Sequence, residues 1–191
     1  MSISTRRGAD GSTSSPGSGR VSKGELRVET SGAIDELNAA MGLARASCND
    51  PVLAARVLAV QRELFALGSA VSTKPGGRRE VPDITPAMLA RLDAFVADLE
   101  ATPDIVRDWT VPGASAASAP FEVARTVCRR AERHAVRLAG SGEDVQKNVL
   151  AYLNRLSDVL WLCARALEAR AGIDARLRDE NHPGPPWSRA W

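Results

Sequence analysis

Between residues 145 and 167, apolar side chains return at Val145, Val149, Tyr152, Leu153, Leu156, Leu160, Cys163 and Leu167. At 3.6 residues per turn this stripe is about six helical turns long. A helix with so long an apolar side has to lie against other helices of similar length, because nothing shorter covers it. Four further segments supply them. The first runs from about Leu26 to Ser47 with a stripe at Ile34, Leu37, Met41 and Ala44. Asn49-Asp50-Pro51, a capping residue followed by proline at the first helical position, opens the second through Val52, Ala55, Val57, Val60, Leu64, Leu67 and Val71. Lys74-Pro75-Gly76-Gly77 ends it. Thr85-Pro86 repeats the signal before Met88, Leu89, Leu92, Phe95, Val96 and Leu99. A linker with Pro103, Pro112 and Gly113 leads to a helix beginning near Ser118 or Pro120, and Ser141 with Asp144 resembles a capping box for the last helix. No strand alternation is expected anywhere, so the fold class is all-α, a five-helix bundle.

The fourth segment is the one with chemistry on it. Along Ala124 to Arg133 a helix places Arg125, Arg129, Glu132 and Arg133 on one side, at i, i+4, i+7 and i+8. Val123, Val127, Ala131 and Leu138 have the spacing of a buried stripe on the other. A row of cations on a packed helix suits a polyphosphate, although a solvated basic face is the ordinary reading of such a pattern. Two segments lie outside the bundle of residues 25–173. Residues 1–24 are rich in Gly, Ser and Thr and by composition alone read as disordered. They also contain Thr5-Arg6-Arg7-Gly8-Ala9-Asp10-Gly11-Ser12-Thr13-Ser14, whose glycines, hydroxyls and amides can cradle phosphate, though without the lysine and spacing of a Walker loop. Residues 174–191, with Pro183, Gly184, Pro185 and Pro186, read as a flexible tail.

Composition removes several alternatives. A net charge of +2 on 191 residues gives no general case for nucleic acid or a membrane surface. No apolar run approaches a membrane span, and the basic N-terminus has no apolar core behind it, so no secretory signal is expected. Cys48, Cys128 and Cys163 are far apart, odd in number and without a close Cys or His partner, which reads as reduced core thiols in a cytoplasmic protein. His134 and His182 are the only histidines, too few for a His-based zinc site or a Ser-His-Asp triad, and no metal-ligand set is expected from the protein.

Four blocks in order resemble the PduO-type ATP:cob(I)alamin adenosyltransferases, the corrinoid adenosyltransferase family. They are Thr5 to Ser14; Arg20-Val21-Ser22-Lys23 with Leu26-Arg27-Val28-Glu29 and Gly32-Ala33-Ile34-Asp35-Glu36-Leu37-Asn38; Val111-Pro112-Gly113 running into Ala124 to Arg133; and Tyr152-Leu153-Asn154-Arg155-Leu156-Ser157-Asp158. The resemblance implies a homotrimer with sites between neighbouring subunits, and transfer of the 5′-deoxyadenosyl group of ATP to cob(I)alamin, giving adenosylcobalamin and triphosphate. Thr5, Arg6, Arg7, Gly8, Thr13, Ser14 and Lys23 would wrap ATP. Arg129, Arg130, Glu132 and Arg133, with Asn154, would complete that pocket. Asp35, paired with Arg125, and Trp109, where the family usually has phenylalanine, would shape the corrinoid side. Mg2+ would accompany the triphosphate. A flavoprotein reductase and an adenosylcobalamin-dependent enzyme are the implied partners.

Read without the family, Asp35 and Asn38 are solvent-facing or capping residues of a polar helix face, and Trp109 is as well explained as a linker anchor. The chain also departs from the family pattern: Ala9 stands in place of an aspartate, Arg7 of a threonine, Ala114 of a glycine and Glu122 of a histidine. These departures keep open a second reading, a non-catalytic corrinoid- or ATP-binding relative acting as carrier or regulator.

Overall fold

The computed structural model describes residues 6–16, 19–74, 76, 80–103, 105, 108–178 and 181–184. Thr5, Pro75, Gly77, Pro185 and Pro186 lie outside them. Five helices form the bundle: α1 (Leu26–Ser47), α2 (Pro51–Ser72), α3 (Pro86–Glu100), α4 (Ala119–Gly140) and α5 (Lys147–Arg170). Side-chain capping explains the starts of α2 and α3. Asp50 Oδ1 accepts from the backbone N–H groups of Val52 and Leu53 at 2.9 and 3.0 Å, satisfying two donors that have no partner inside α2. Thr85 Oγ1 accepts from Met88 N–H at 3.4 Å and so starts α3.

The expected capping box before α5 does not form. Ser141 instead donates its hydroxyl to the Leu138 carbonyl at 2.7 Å, closing α4. Gln146 occupies the cap position, and its amide ties the approach to α3 to the start of α5, accepting from Ile84 N–H at 2.9 Å and donating to the Pro82 carbonyl at 2.8 Å.

The helices neighbour one another in the order α2, α1, α4, α5, α3. Leu37, Ala44, Phe121, Ala131, Ala135, Tyr152, Leu153, Leu156 and Leu160 are completely buried between them. Each large side chain so removed from water contributes about 1.5–3 kcal/mol. Three stripe assignments need correction. Val123 is 52% exposed, and the inward side of α4 runs instead through Phe121, Ala124, Val127, Cys128, Ala131, Ala135 and Leu138. Val52 and Ala55, near the start of α2, are exposed as well.

An antiparallel hairpin precedes the bundle, β1 (Ser12–Ser15) paired with β2 (Gly19–Ser22) in the register Thr13 opposite Val21. The sequence reading expected no strand here, because Val21 is the only apolar residue in the two strands and alternation has nothing to act on. Polar contacts replace it. Asp10 accepts from the Ser12 amide and hydroxyl at 3.0 and 2.7 Å and pairs with Arg20 at 3.1 Å, while Arg20 also donates to the Arg7 carbonyl. The hairpin docks on the end of α2 through Ser15 Oγ to the Ser72 carbonyl and Lys74 N–H to the Pro16 carbonyl, both 3.3 Å.

At the other end, residues 174–178, read from composition as the start of a tail, run antiparallel to residues 108–111. Val111 N–H donates to the Ala175 carbonyl at 2.8 Å and Leu177 N–H to the Trp109 carbonyl at 2.7 Å.

Candidate functional site

The predicted residues fall into three groups on three seams of the bundle. The first surrounds a cleft of about 470 Å³ between the hairpin, α1 and α2. Thr13 and Ser14 form one wall, Asp35 lies on the α1 wall, and Phe65 and Ser69 on the α2 wall. Beside it, Lys23 donates to the Gly8 carbonyl at 2.9 Å, folding the loop of residues 6–11 back onto the hairpin. Gly8 is required there. A Cβ on it would stand 2.9 Å from the Ser12 carbonyl oxygen and 3.2 Å from Lys23 Nζ. Asp10, next to Ala9, is engaged by Ser12 and Arg20.

Asn38 is buried and not solvent-facing. It exchanges hydrogen bonds with Gln61 of α2, donating to its carbonyl at 3.3 Å and accepting from its Nε2 at 3.1 Å. An amide on a polar face thus closes the α1–α2 seam behind Asp35.

The second group lies where α4 meets α5. Arg129 Nη1 is 2.8 Å from Glu132 Oε2 and 3.4 Å from Ser157 Oγ, and Asn154 Nδ2 donates to Glu132 Oε1 at 3.0 Å. One carboxylate therefore holds both the arginine and the amide, and Ser157, one turn beyond Asn154, steadies the guanidinium. Arg130 turns the other way and pairs with Glu36 of α1. Arg133 stays exposed. The basic rail is accordingly not one uniform face. Ser157 and Glu36 were missed by sequence reasoning, although both stand inside the quoted motif blocks; what identifies them is the neighbouring helix, which the sequence does not display.

The third group adjoins the start of α4. Within the chain Arg125 is not paired with Asp35. Its Nε is 2.7 Å from Glu122 Oε2, one turn earlier on the same helix. Glu122 is buried and also pairs with Arg165 at 3.2 Å, whose Nε is 2.8 Å from Glu168 Oε2. Trp109, half exposed, sits on the segment pinned by residues 175–178, and its backbone N–H donates to Asp108 Oδ1 at 2.7 Å. Arg178 grips Asp108 and holds its carboxyl down to about 2.

Among the described residues no hydrogen bond or ion pair joins the cleft group to the Arg129 group. Nor do the cysteines supply a nucleophile, since burial pushes the Cys128, Cys163 and Cys48 thiols up and keeps them protonated. No cluster of three His, Cys, Asp or Glu able to hold a metal occurs among the described residues, and no helix there is long and apolar enough to cross a membrane.

Comparison with known proteins converges on one family. The family model for cobalamin adenosyltransferase matches residues 3–167. A corrinoid adenosyltransferase of Bacillus subtilis is 38% identical over 179 residues, covering 91% of this chain and 90% of that protein. The corrinoid adenosyltransferase PduO of Salmonella typhimurium is 34% identical across 90% of this chain and 51% of its own length. Among solved structures, a variant of the PduO-type ATP:corrinoid adenosyltransferase of Lactobacillus reuteri, in complex with cobalamin and ATP, superposes with a TM-score of 0.85 at 27% identity, over 94% of this chain and all of that one.

Proposed function

Because the chain belongs to the cobalamin adenosyltransferase family, we propose that it transfers the 5′-deoxyadenosyl group of ATP to cob(I)alamin, releasing triphosphate. The observation that carries this reading is the α4–α5 cluster. A guanidinium held by Glu132 and Ser157 on two packed helices is a preorganised donor for a departing polyphosphate, and Arg130 and Arg133 add charge beside it. The reaction requires no protein nucleophile. The reduced cobalt of the substrate donates an electron pair to the 5′ carbon, and the bond from that carbon to the triphosphate oxygen breaks with its pair on the oxygen. The protein's task is to align the two substrates, exclude water and stabilise the leaving charge.

In this assignment Thr5, Arg6, Arg7, Gly8, Thr13, Ser14 and Lys23 bind ATP together with Arg129, Arg130, Glu132, Arg133 and Asn154. Asp35, Arg125 and Trp109 face the corrinoid, and Trp109 helps displace its lower axial ligand. Mg2+ takes phosphate oxygens readily, so it would arrive with the triphosphate. The cleft and the Arg129 cluster lie on different seams, which supports a homotrimer whose sites take one group from each of two neighbours. Protonated, unpaired thiols suit the reducing cytoplasm. A flavoprotein reductase to supply the substrate and an adenosylcobalamin-dependent enzyme to use the product complete the scheme.

The test is an anaerobic assay of chemically reduced cobalamin with ATP. Light-sensitive adenosylcobalamin and an equal amount of triphosphate are expected. Binding of both substrates without product would replace this reading by the non-catalytic carrier or regulator, the alternative that the departures at Ala9 and Glu122 support.

A further inference from the structure

Glu122 stands at a position where an acid is costly, 4% exposed and in the first turn of α4. A buried carboxylate persists only when its charge is matched. Here the matching groups form a row. Arg125 Nε lies 2.7 Å from Glu122 Oε2, Glu122 Oε1 lies 3.2 Å from Arg165 Nη2, and Arg165 reaches Glu168 through Nε at 2.8 Å and Nη2 at 3.0 Å. Arg165 and Glu168 are 4% and 2% exposed, one turn apart on α5, and the Arg165 guanidinium lies 5.4 Å from the centre of the Trp161 ring. Charges alternate along the row and sum to zero. Its inner three members are fixed by packing, whereas Arg125, with 30% of its side chain exposed, is the member that reaches solvent.

From this geometry we infer that Glu122 is a positioning residue for corrinoid binding, acting through Arg125 and held in place by Arg165 and Glu168. The inference rests on the proposed reading that Arg125 faces the corrinoid. A single bond from Nε to a fixed carboxylate sets the plane of the guanidinium and leaves both terminal nitrogens for a ligand; no other hydrogen bond or ion pair of Arg125 occurs among the described residues. A histidine at position 122 would supply no negative charge to Arg165 or to Arg125. The row thus explains how this chain accommodates an acid there: Arg165 neutralises it from behind, and Glu168 orients Arg165.

Binding is the readout, measured separately for cob(II)alamin and ATP by equilibrium titration, with thermal melting alongside. Glu122→Gln should raise the Kd for cob(II)alamin about tenfold, the scale of a lost charged hydrogen bond, and leave that for ATP unchanged. In an Arg125→Ala background the same substitution should have no further effect on corrinoid affinity. An unchanged corrinoid Kd in Glu122→Gln, or an equal loss with and without Arg125, overturns the inference. So does a parallel loss of both ligands that follows the melting temperature, because that is what a merely structural residue gives.

Should Glu122→Gln fail to fold, Glu122→Asp keeps Arg165 neutralised but retracts the carboxylate by one methylene. It should weaken the corrinoid alone, and wild-type corrinoid affinity in a folded Glu122→Asp protein is equally fatal. Wild-type protein that binds both ligands without transfer would remove the proposed activity and leave this binding test intact.

Discussion

Arg129 is where the chemistry is most concentrated in one side chain. Its guanidinium is already oriented by Glu132 and Ser157 before any ligand arrives, so the reorganisation cost at the moment of charge development is small. Arg129→Ala should therefore lower kcat by the equivalent of about 2–4 kcal/mol while weakening ATP binding much less. The helix should persist, because alanine is a strong helix former and the inward side of α4 is untouched. Arg129→Lys keeps the charge and loses the planar fork, so its kcat separates geometry from charge. Full turnover in a correctly assembled Arg129→Ala protein would mean that the phosphate site is elsewhere. At this scale the sequence is a partial guide. Arg129, Glu132 and Asn154 were named from motif blocks and do stand together, since all three project from two adjacent rigid helices. Asn38 was misjudged, because helical spacing fixes a residue's azimuth but not which neighbouring helix meets it: Asn38 meets Gln61. The implied Asp35–Arg125 pair does not form within one chain, where Arg125 meets Glu122 of its own helix.

Elements with strong termini were legible and the polar ones were not. Asp50-Pro51 and Thr85-Pro86 start α2 and α3 because their oxygens satisfy otherwise unpaired amides, a local rule that needs no tertiary context. The β1–β2 hairpin has no such apolar or capping signature and depends on Asp10, Arg20 and docking against α2. The pairing of residues 108–111 with 174–178 is equally invisible in sequence, joining segments more than sixty residues apart through backbone amides and one ion pair. That ion pair gives a pH prediction. Arg178 lowers the Asp108 carboxyl to about 2, below its value of about 3.9 in an unfolded chain. A depressed carboxylate stabilises the folded state fully above the unfolded value and loses that contribution as pH falls through the folded one. The melting temperature of wild type should therefore exceed that of Asp108→Asn by a constant amount above pH 5, and the gap should close between about pH 4 and pH 2. A gap that widens on acidification would show that Asp108 is not the charged partner of Arg178.

For the whole molecule, the order α2, α1, α4, α5, α3 sets the decisive geometry. Thr13, Ser14 and Asp35 surround the α1–α2 cleft, whereas Arg129, Glu132 and Asn154 lie on the α4–α5 seam, with the bodies of α1 and α4 between. Among the described residues no hydrogen bond or ion pair links Thr13, Ser14 or Asp35 to Arg129, Glu132 or Asn154. Phe65, 70% exposed on the cleft wall, is the kind of large apolar side chain that an adjoining subunit would cover. The bundle itself was legible because five long stripes admit few arrangements; the separation of the two groups was not, since it depends on helix order. Assembly through the proposed trimer predicts a sedimenting mass three times the 20.3 kDa of one chain at micromolar concentration. Complementation is a sharper test. Asp35→Ala and Arg129→Ala proteins, each impaired alone, should regain activity when unfolded together and refolded as mixed trimers, because some sites then draw an intact Asp35 from one chain and an intact Arg129 from its neighbour. If both groups served the same site from one chain, every site in the mixture would carry a lesion and no recovery would occur. Active monomers, or mixed trimers without recovery, would rule out the shared site.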